Sequence, residues 1–170
     1  YRQQVIQTLH SAVSADRACS FQYQFSDQWY DLHNSEQTKT PMVVKFTTRR
    51  EDFPPNLDGI KIQQVLLYFA RASGKTFEVP VTSLRLTERA GGSVGGAATT
   101  VDGVISTRRG NAGSWTAMLG KAPFGEWELA LPNTEDMRKR FTNEDIEDIE
   151  DIEDILFVIT YSGRTPEWPS

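Results

Sequence analysis

Val5, Ile6, Leu9, Ala12 and Val13 recur at the spacing of one helix face, with Gln and Ser between them, and predict a short amphipathic N-terminal helix. Phe21, Tyr23 and Phe25 then alternate with Gln22 and Gln24 at the period of a half-buried strand, and Asp27, Asn34 and Ser35 supply turn chemistry that leaves Trp29 and Tyr30 in a connecting segment. From Met42 onward strands and loops follow one another. The first of them is Met42–Thr48, stopping near the corner of Phe53, Pro54, Pro55 and Asn56, since consecutive prolines cannot continue a ladder. Ile60, Ile62, Gln64, Leu66, Tyr68 and Ala70 share one face of a long strand. Val65, Leu67 and Phe69 make its second half apolar on both faces, which predicts a central position in the sheet.

Shorter strands are predicted over residues 76–79, 84–87, 101–107, 114–119 and 126–131, with a hairpin turn at Ser73 and Gly74 and a flexible glycine-rich loop over residues 91–96. The last predicted strand, residues 155–161, is almost continuously apolar and β-branched. Many short strands with regular turn signals and no interleaved helices predict a mainly β fold. The expected architecture is an antiparallel β-sandwich, jelly-roll-like, over residues 19–170, preceded by a helical lead-in over residues 1–18. Tyr1 opens the sequence without a Met and without a signal-peptide pattern, so it reads as part of a larger parent.

Composition agrees with a packed domain: 38% of residues are hydrophobic and 24% charged, and no apolar run approaches the roughly 18 residues of a membrane span. The net charge of −5 conceals a local imbalance, because residues 144–154 carry eight acidic side chains and no basic one. Without them 18 basic residues face 15 acidic ones, too small an excess for a nucleic-acid binder. That acidic run is Glu-Asp-Ile repeated four times. On an α-helix a three-residue repeat drifts about 60° per step, so its isoleucines form no tight stripe. A solvated connector, a docking strip and a cation site all remain open for it.

Catalytic signatures fail on spacing. Lys75 and Thr76 follow Gly74 as in a phosphate-binding loop, yet Phe69 stands where that loop needs its first glycine, and residues 91–96 lack dinucleotide spacing. Cys19 is the one cysteine and His10 and His33 the two histidines, so neither a disulfide nor a Cys- or His-rich metal site is expected. Glu126 and Glu128 flank Trp127; alternation turns both glutamates outward and Trp127 inward with Leu129 and Leu131. No enzyme activity and no cofactor are expected. The basic pairs Arg49, Arg50 and Arg108, Arg109 lie near strand ends, where they would face an acidic partner or the acidic run of the same chain.

Four segments carry a family resemblance: residues 46–57, 102–110 and 125–129, and the closing stretch 154–161. They are similar to the C-terminal region of Tc toxin A subunits and the wider group of A-subunit-related bacterial proteins, and the resemblance spans roughly residues 20–169. It implies a β-sandwich behind the tail of a helical shaft, a role in assembly, and a protein partner of Tc toxin B-subunit type; it also implies a parent that is secreted or part of an extracellular toxin-like assembly. The partner-binding residues expected are Arg49, Arg50, Arg108, Arg109, Trp29 and Tyr30. The alternative is a carbohydrate-binding β-sandwich stacking a glycan on Trp29, Tyr30, Trp115 and Trp168. Nucleic acid and membrane are not expected partners.

Overall fold

The computed structural model describes residues 12–33, 42–71, 78–88, 91–142 and 152–165. Eight strands, β1 (Ala12–Ser20), β2 (Met42–Thr48), β3 (Asp58–Arg71), β4 (Pro80–Glu88), β5 (Ser93–Thr99), β6 (Val104–Ser106), β7 (Gly125–Leu131) and β8 (Ile152–Arg164), form two antiparallel four-stranded sheets. The first sheet has the order β1-β8-β3-β6 and the second β2-β7-β4-β5. The pairs β1·β8, β2·β7, β3·β6 and β4·β5 are those of one long hairpin folded over on itself, which is the jelly-roll arrangement. The expected β-sandwich is present, and β3 lies inside its sheet between β8 and β6, as its two-sided apolar half requires.

Inward-facing positions alternate along β2 (Met42, Val44, Phe46), β7 (Trp127, Leu129, Leu131) and β8 (Ile155, Phe157, Ile159, Tyr161), and all are buried. Phe46 gathers the aromatic centre: it stacks on Trp127 at 6.1 Å and meets Phe157 edge-on at 5.4 Å, and Trp127 meets Phe157 at 4.9 Å.

β3 departs from simple alternation. Ile60 and Ile62 are buried, and so are Val65, Leu67 and Phe69, because the register with β8 slips between Ile62 and Gln64. Gln63 is the extra residue of a β-bulge and switches the inward set from even to odd positions. The single face expected from residue 60 to residue 70 is therefore two half-faces. A second slip, between Val81 and Leu84 of β4, likewise keeps both of those side chains buried.

Several expected elements change type. Residues 12–18 lie in β1 rather than in a helical lead-in, so the expected boundary at residue 18 cuts a strand; residues 1–11 lie outside the described residues. Residues 21–24 are helical: α1 (Phe21–Gln24) leads through a bend at Phe25 into α2 (Ser26–His33), which carries Trp29 and Tyr30. Alternation at 21, 23 and 25 also places 21 and 25 four apart, and helix satisfies that spacing by packing Phe21 on Phe25 edge-on at 5.4 Å while Tyr23 turns to solvent. Asp154 of β8 supplies the missing cap, accepting the Gln22 N–H at 3.1 Å and the Ser20 hydroxyl at 2.5 Å.

Residues 93–96 of the expected loop belong to β5. A Cβ on Gly95 would stand 1.9 Å from the Leu84 carbonyl oxygen, so the glycines serve close approach of strands rather than flexibility. Residues 114–119 are not a strand; the 3-10 segment Gly113–Met118 buries Trp115 and Met118 at a spacing of three. The strand expected over 101–107 shortens to β6 behind a tight turn in which Asp102 and Gly103 both have positive φ, 54° and 78°. A further helix, α3 (Glu135–Thr142), was not expected; it begins with the Thr134 hydroxyl accepting the Met137 N–H at 3.2 Å and buries Met137 and Phe141 on one face. The Ser73, Gly74 turn lies outside the described residues, as does the acidic repeat up to residue 151.

The two lateral sides of the sandwich are closed differently. Where β5 and β6 meet, the Asn111 side chain donates to the carbonyls of Thr99 (3.1 Å) and Val104 (2.8 Å) and accepts the Ser106 N–H at 3.1 Å. Trp115 Nε1 donates to the Gly96 carbonyl at 2.8 Å, and the Ser114 hydroxyl donates to that of Ala97. On the other side β1 and β2 are bridged by Arg17, whose Nη1 donates to the Asp52 carbonyl at 3.0 Å, and by Phe21 and Phe25 against Phe46.

Candidate functional site

The groove grows out of the corner that ends β2, beside the end of β4 and the start of β7. Arg49 and the 3-10 turn Arg50–Asp52 are held by the Asp52 carboxylate, which accepts the Arg49 N–H at 2.8 Å. The Arg50 guanidinium then spans the proline corner and donates to the carbonyls of Phe53 (3.3 Å), Pro54 (3.0 Å) and Leu57 (2.5 Å). Phe53 is buried, edge-on to Phe124 at 5.4 Å and to Tyr161 at 5.0 Å. Opposite this turn β7 starts at Gly125, where any Cβ would stand 2.3 Å from the Thr87 carbonyl oxygen, so only glycine lets β7 reach β4 there. Thr48 pins the floor: its hydroxyl donates to the Pro123 carbonyl and accepts the Trp127 indole N–H at 2.9 Å.

Between these walls lies an open groove of about 1050 Å³. Phe124 and Ala122 line it together with the hydroxyl-bearing Thr47 and Thr87. Its charged residues are Arg49, Arg50, Glu51, Asp52, Glu88 and Glu126, four carboxylates against two guanidiniums. Asp52 faces Arg17 at 4.0 Å, and Glu88 faces Lys121 at 3.7 Å. A smaller hollow of about 180 Å³ continues over the outer face of the second sheet and shares Thr47, Thr87 and Glu126 with the groove.

The six expected partner-binding residues do not converge. Arg49 and Arg50 stand at the groove, whereas Arg108 and Arg109 are exposed after β6, the edge strand of the other sheet, with their N–H groups on the Ser106 hydroxyl and carbonyl at 3.2 and 3.1 Å. The Arg50 guanidinium is hydrogen-bonded to the corner carbonyls. Trp29 is half-buried, 5.8 Å from Phe141, and Tyr30 on the same helix is 69% exposed; Tyr23 of α1 also faces solvent. Glu51, Glu88, Glu126 and Phe124 were not singled out as groove residues, although the adjacent opposite charges of Arg49, Arg50, Glu51 and Asp52 are visible in the sequence.

The aromatic platform expected for a glycan is not formed by Trp115, which is fully buried with its indole N–H on a backbone carbonyl; Trp168 lies outside the described residues. Glu126 and Glu128 do face outward from a buried Trp127, and Glu128 lies 3.9 Å from Lys45 Nζ. Burial pushes the Cys19 thiol up, against the pull of the nearby Arg17 guanidinium, which disfavours the thiolate. Among the described residues there is no cluster of metal-ligating side chains, and no helix is long and apolar enough to cross a membrane.

No protein-family model matches the chain, and a search of curated proteins returns no match. Among solved structures the chain is similar to a chain in the cryo-EM structure of Yersinia pseudotuberculosis TcaA-TcaB, with a TM-score of 0.55 and 16% sequence identity. That likeness covers 91% of this chain and 10% of the other, so this chain spans about a tenth of the length of the protein it matches. It is a likeness of fold.

Proposed function

We propose that this chain is a non-catalytic docking domain through which a Tc toxin A-subunit-related protein assembles with a protein partner of B-subunit type. The observation that carries the reading is the shared fold over 91% of the chain with a chain of TcaA-TcaB. The sequence supports it independently, since the four segments that resemble the C-terminal region of Tc toxin A subunits fall on the corner after β2, on the β6 hairpin, at the start of β7 and along β8. The chemistry is consistent as well. The groove offers carboxylates, guanidiniums and hydroxyls on an aromatic floor but no nucleophile held by a base, which suits recognition of a surface rather than turnover of a substrate.

The test is a binding measurement with the immobilised chain and a purified B-type protein from the same toxin-like locus. Saturable binding is expected, with an affinity that weakens as salt rises, because the recognition surface is charged. Absence of saturable binding at micromolar partner concentration overturns the reading.

A further inference from the structure

The two flanks of the sandwich differ in how their backbone edges end. On the β5/β6 flank the side chains of Asn111, Ser114 and Trp115 donate to the carbonyls of Gly96, Ala97, Thr99 and Val104. β1 has no such cover. It pairs with β8 at every position from Ala12 to Ser20, and among the described residues no hydrogen bond reaches its other backbone edge. An antiparallel ladder uses the N–H and C=O of alternate residues, so β1 keeps a second row of donors and acceptors aimed away from β8. The strand holds no Pro and no Lys, residues that commonly block such an edge, and its one cation, Arg17, reaches across to Asp52.

The outer face beside that edge is apolar. Register sets Asp16, Ala18 and Ser20 against Thr160, Val158 and Leu156, and the same rows continue into β3, with Leu66 beside Val158 and Tyr68 beside Leu156. Leu66, Tyr68, Leu156 and Val158 are half-buried, and Ala18 next to them is exposed. The outer face of the second sheet is charged instead, with Lys45, Glu128 and Arg85 in one row.

From this arrangement we infer that the protein partner docks by adding an extended strand to the free edge of β1, with large apolar side chains that lean over Ala18 and Ser20 onto Val158 and Leu156. The inference rests on the docking reading above and names the contact it uses. The edge itself selects the occupant, because an extended backbone carries N–H and C=O groups at the matching spacing. Side-chain size then selects the sequence. An added strand lies roughly 10 Å from β8, at ~4.8 Å per strand, a gap that an aromatic side chain closes across an alanine. A second copy of β1 fits less well, since on that face it offers only Ser14, Asp16, Ala18 and Ser20 and leaves the apolar rows uncovered.

The experiment is residue-resolved amide hydrogen exchange of the whole chain, alone and titrated with acetyl-Thr-Phe-Thr-Phe-Thr-Phe-Thr-Lys amide or with the same peptide carrying Pro for its middle Phe. In the free chain, alternate amides between Val13 and Ser20 are expected to exchange fast. The phenylalanine peptide is expected to slow that set saturably, and the proline peptide to leave it fast. Ala18→Lys, at an exposed position, is expected to weaken peptide binding about fivefold, the upper scale of one cross-strand side-chain pair. Three results overturn the inference: outward amides of β1 already slow in the free chain, whether covered by the chain itself or by a second copy; peptide protection confined to other strands; or equal peptide affinity in wild type and A18K. The two readings separate in the partner assay. A B-type protein that binds A18K as tightly as wild type and leaves the β1 amides fast removes the edge and leaves docking standing. A wild-type chain that binds no partner removes docking, and the peptide titration still judges the edge.

Discussion

Asn111 does the work of a cross-stitch. Its amide satisfies two carbonyls and one N–H belonging to the border strands of two different sheets, groups that water or another strand would otherwise take. Asn111→Ala is expected to lower unfolding free energy by roughly 1–3 kcal/mol, the loss of a few exposed or part-buried hydrogen bonds at about 0.5–1.5 kcal/mol each, as read by urea denaturation. Asn111→Asp keeps the acceptor and loses both donors, so it is expected to be destabilised comparably. Residue-scale features divide by legibility. The inward turn of Trp127 between outward glutamates follows from a period of two and is readable in the sequence. The fate of Arg50 is not, because it depends on where a proline corner places the carbonyls of Phe53, Pro54 and Leu57.

Among the elements, strands with an unbroken pattern were readable, and segments whose pattern is interrupted by a bulge or fits a helix as well were not. β2, β7 and β8 show uninterrupted alternation or continuous apolar runs, and each lies where expected. The α1 segment carries a pattern compatible with both periods, and the tie is broken by Asp154, more than a hundred residues away, which caps the helix. The Gln63 bulge has no composition signal at all. It is forced by the need to bury Ile60 and Ile62 as well as Val65, Leu67 and Phe69 against one core. Deleting Gln63 removes the extra residue and leaves Ile60, Ile62, Val65, Leu67 and Phe69 on one face in plain alternation and in register with β8. The deletion variant is therefore expected to keep cooperative thermal unfolding, and calorimetry showing loss of the transition would contradict this account of β3.

At the scale of the molecule, the hairpin-of-hairpins wiring places the first and last strands side by side, Ala12 against Arg164 and Ser20 against Leu156. It also lays β8 along nearly the whole length of β3, from Asp58 to Arg71. β8 is thus one of the two inner strands of the first sheet, and a chain ending at residue 142 lacks it. Such a truncation is expected to give no cooperative unfolding transition and a poorly dispersed NMR spectrum, since β1 loses its sheet neighbour and β3 its longer one. A folded truncation would contradict the pairing. Placing the closing strand last also sets a schedule for synthesis. At ~5–20 residues per second, the stretch between β3 and β8 takes roughly 4–16 s to be made. During that interval the apolar Val65, Leu67 and Phe69 have no β8 to pair with, and the ribosome's pace, more than the packed core's final strength, governs how long this strand edge is open to wrong neighbours.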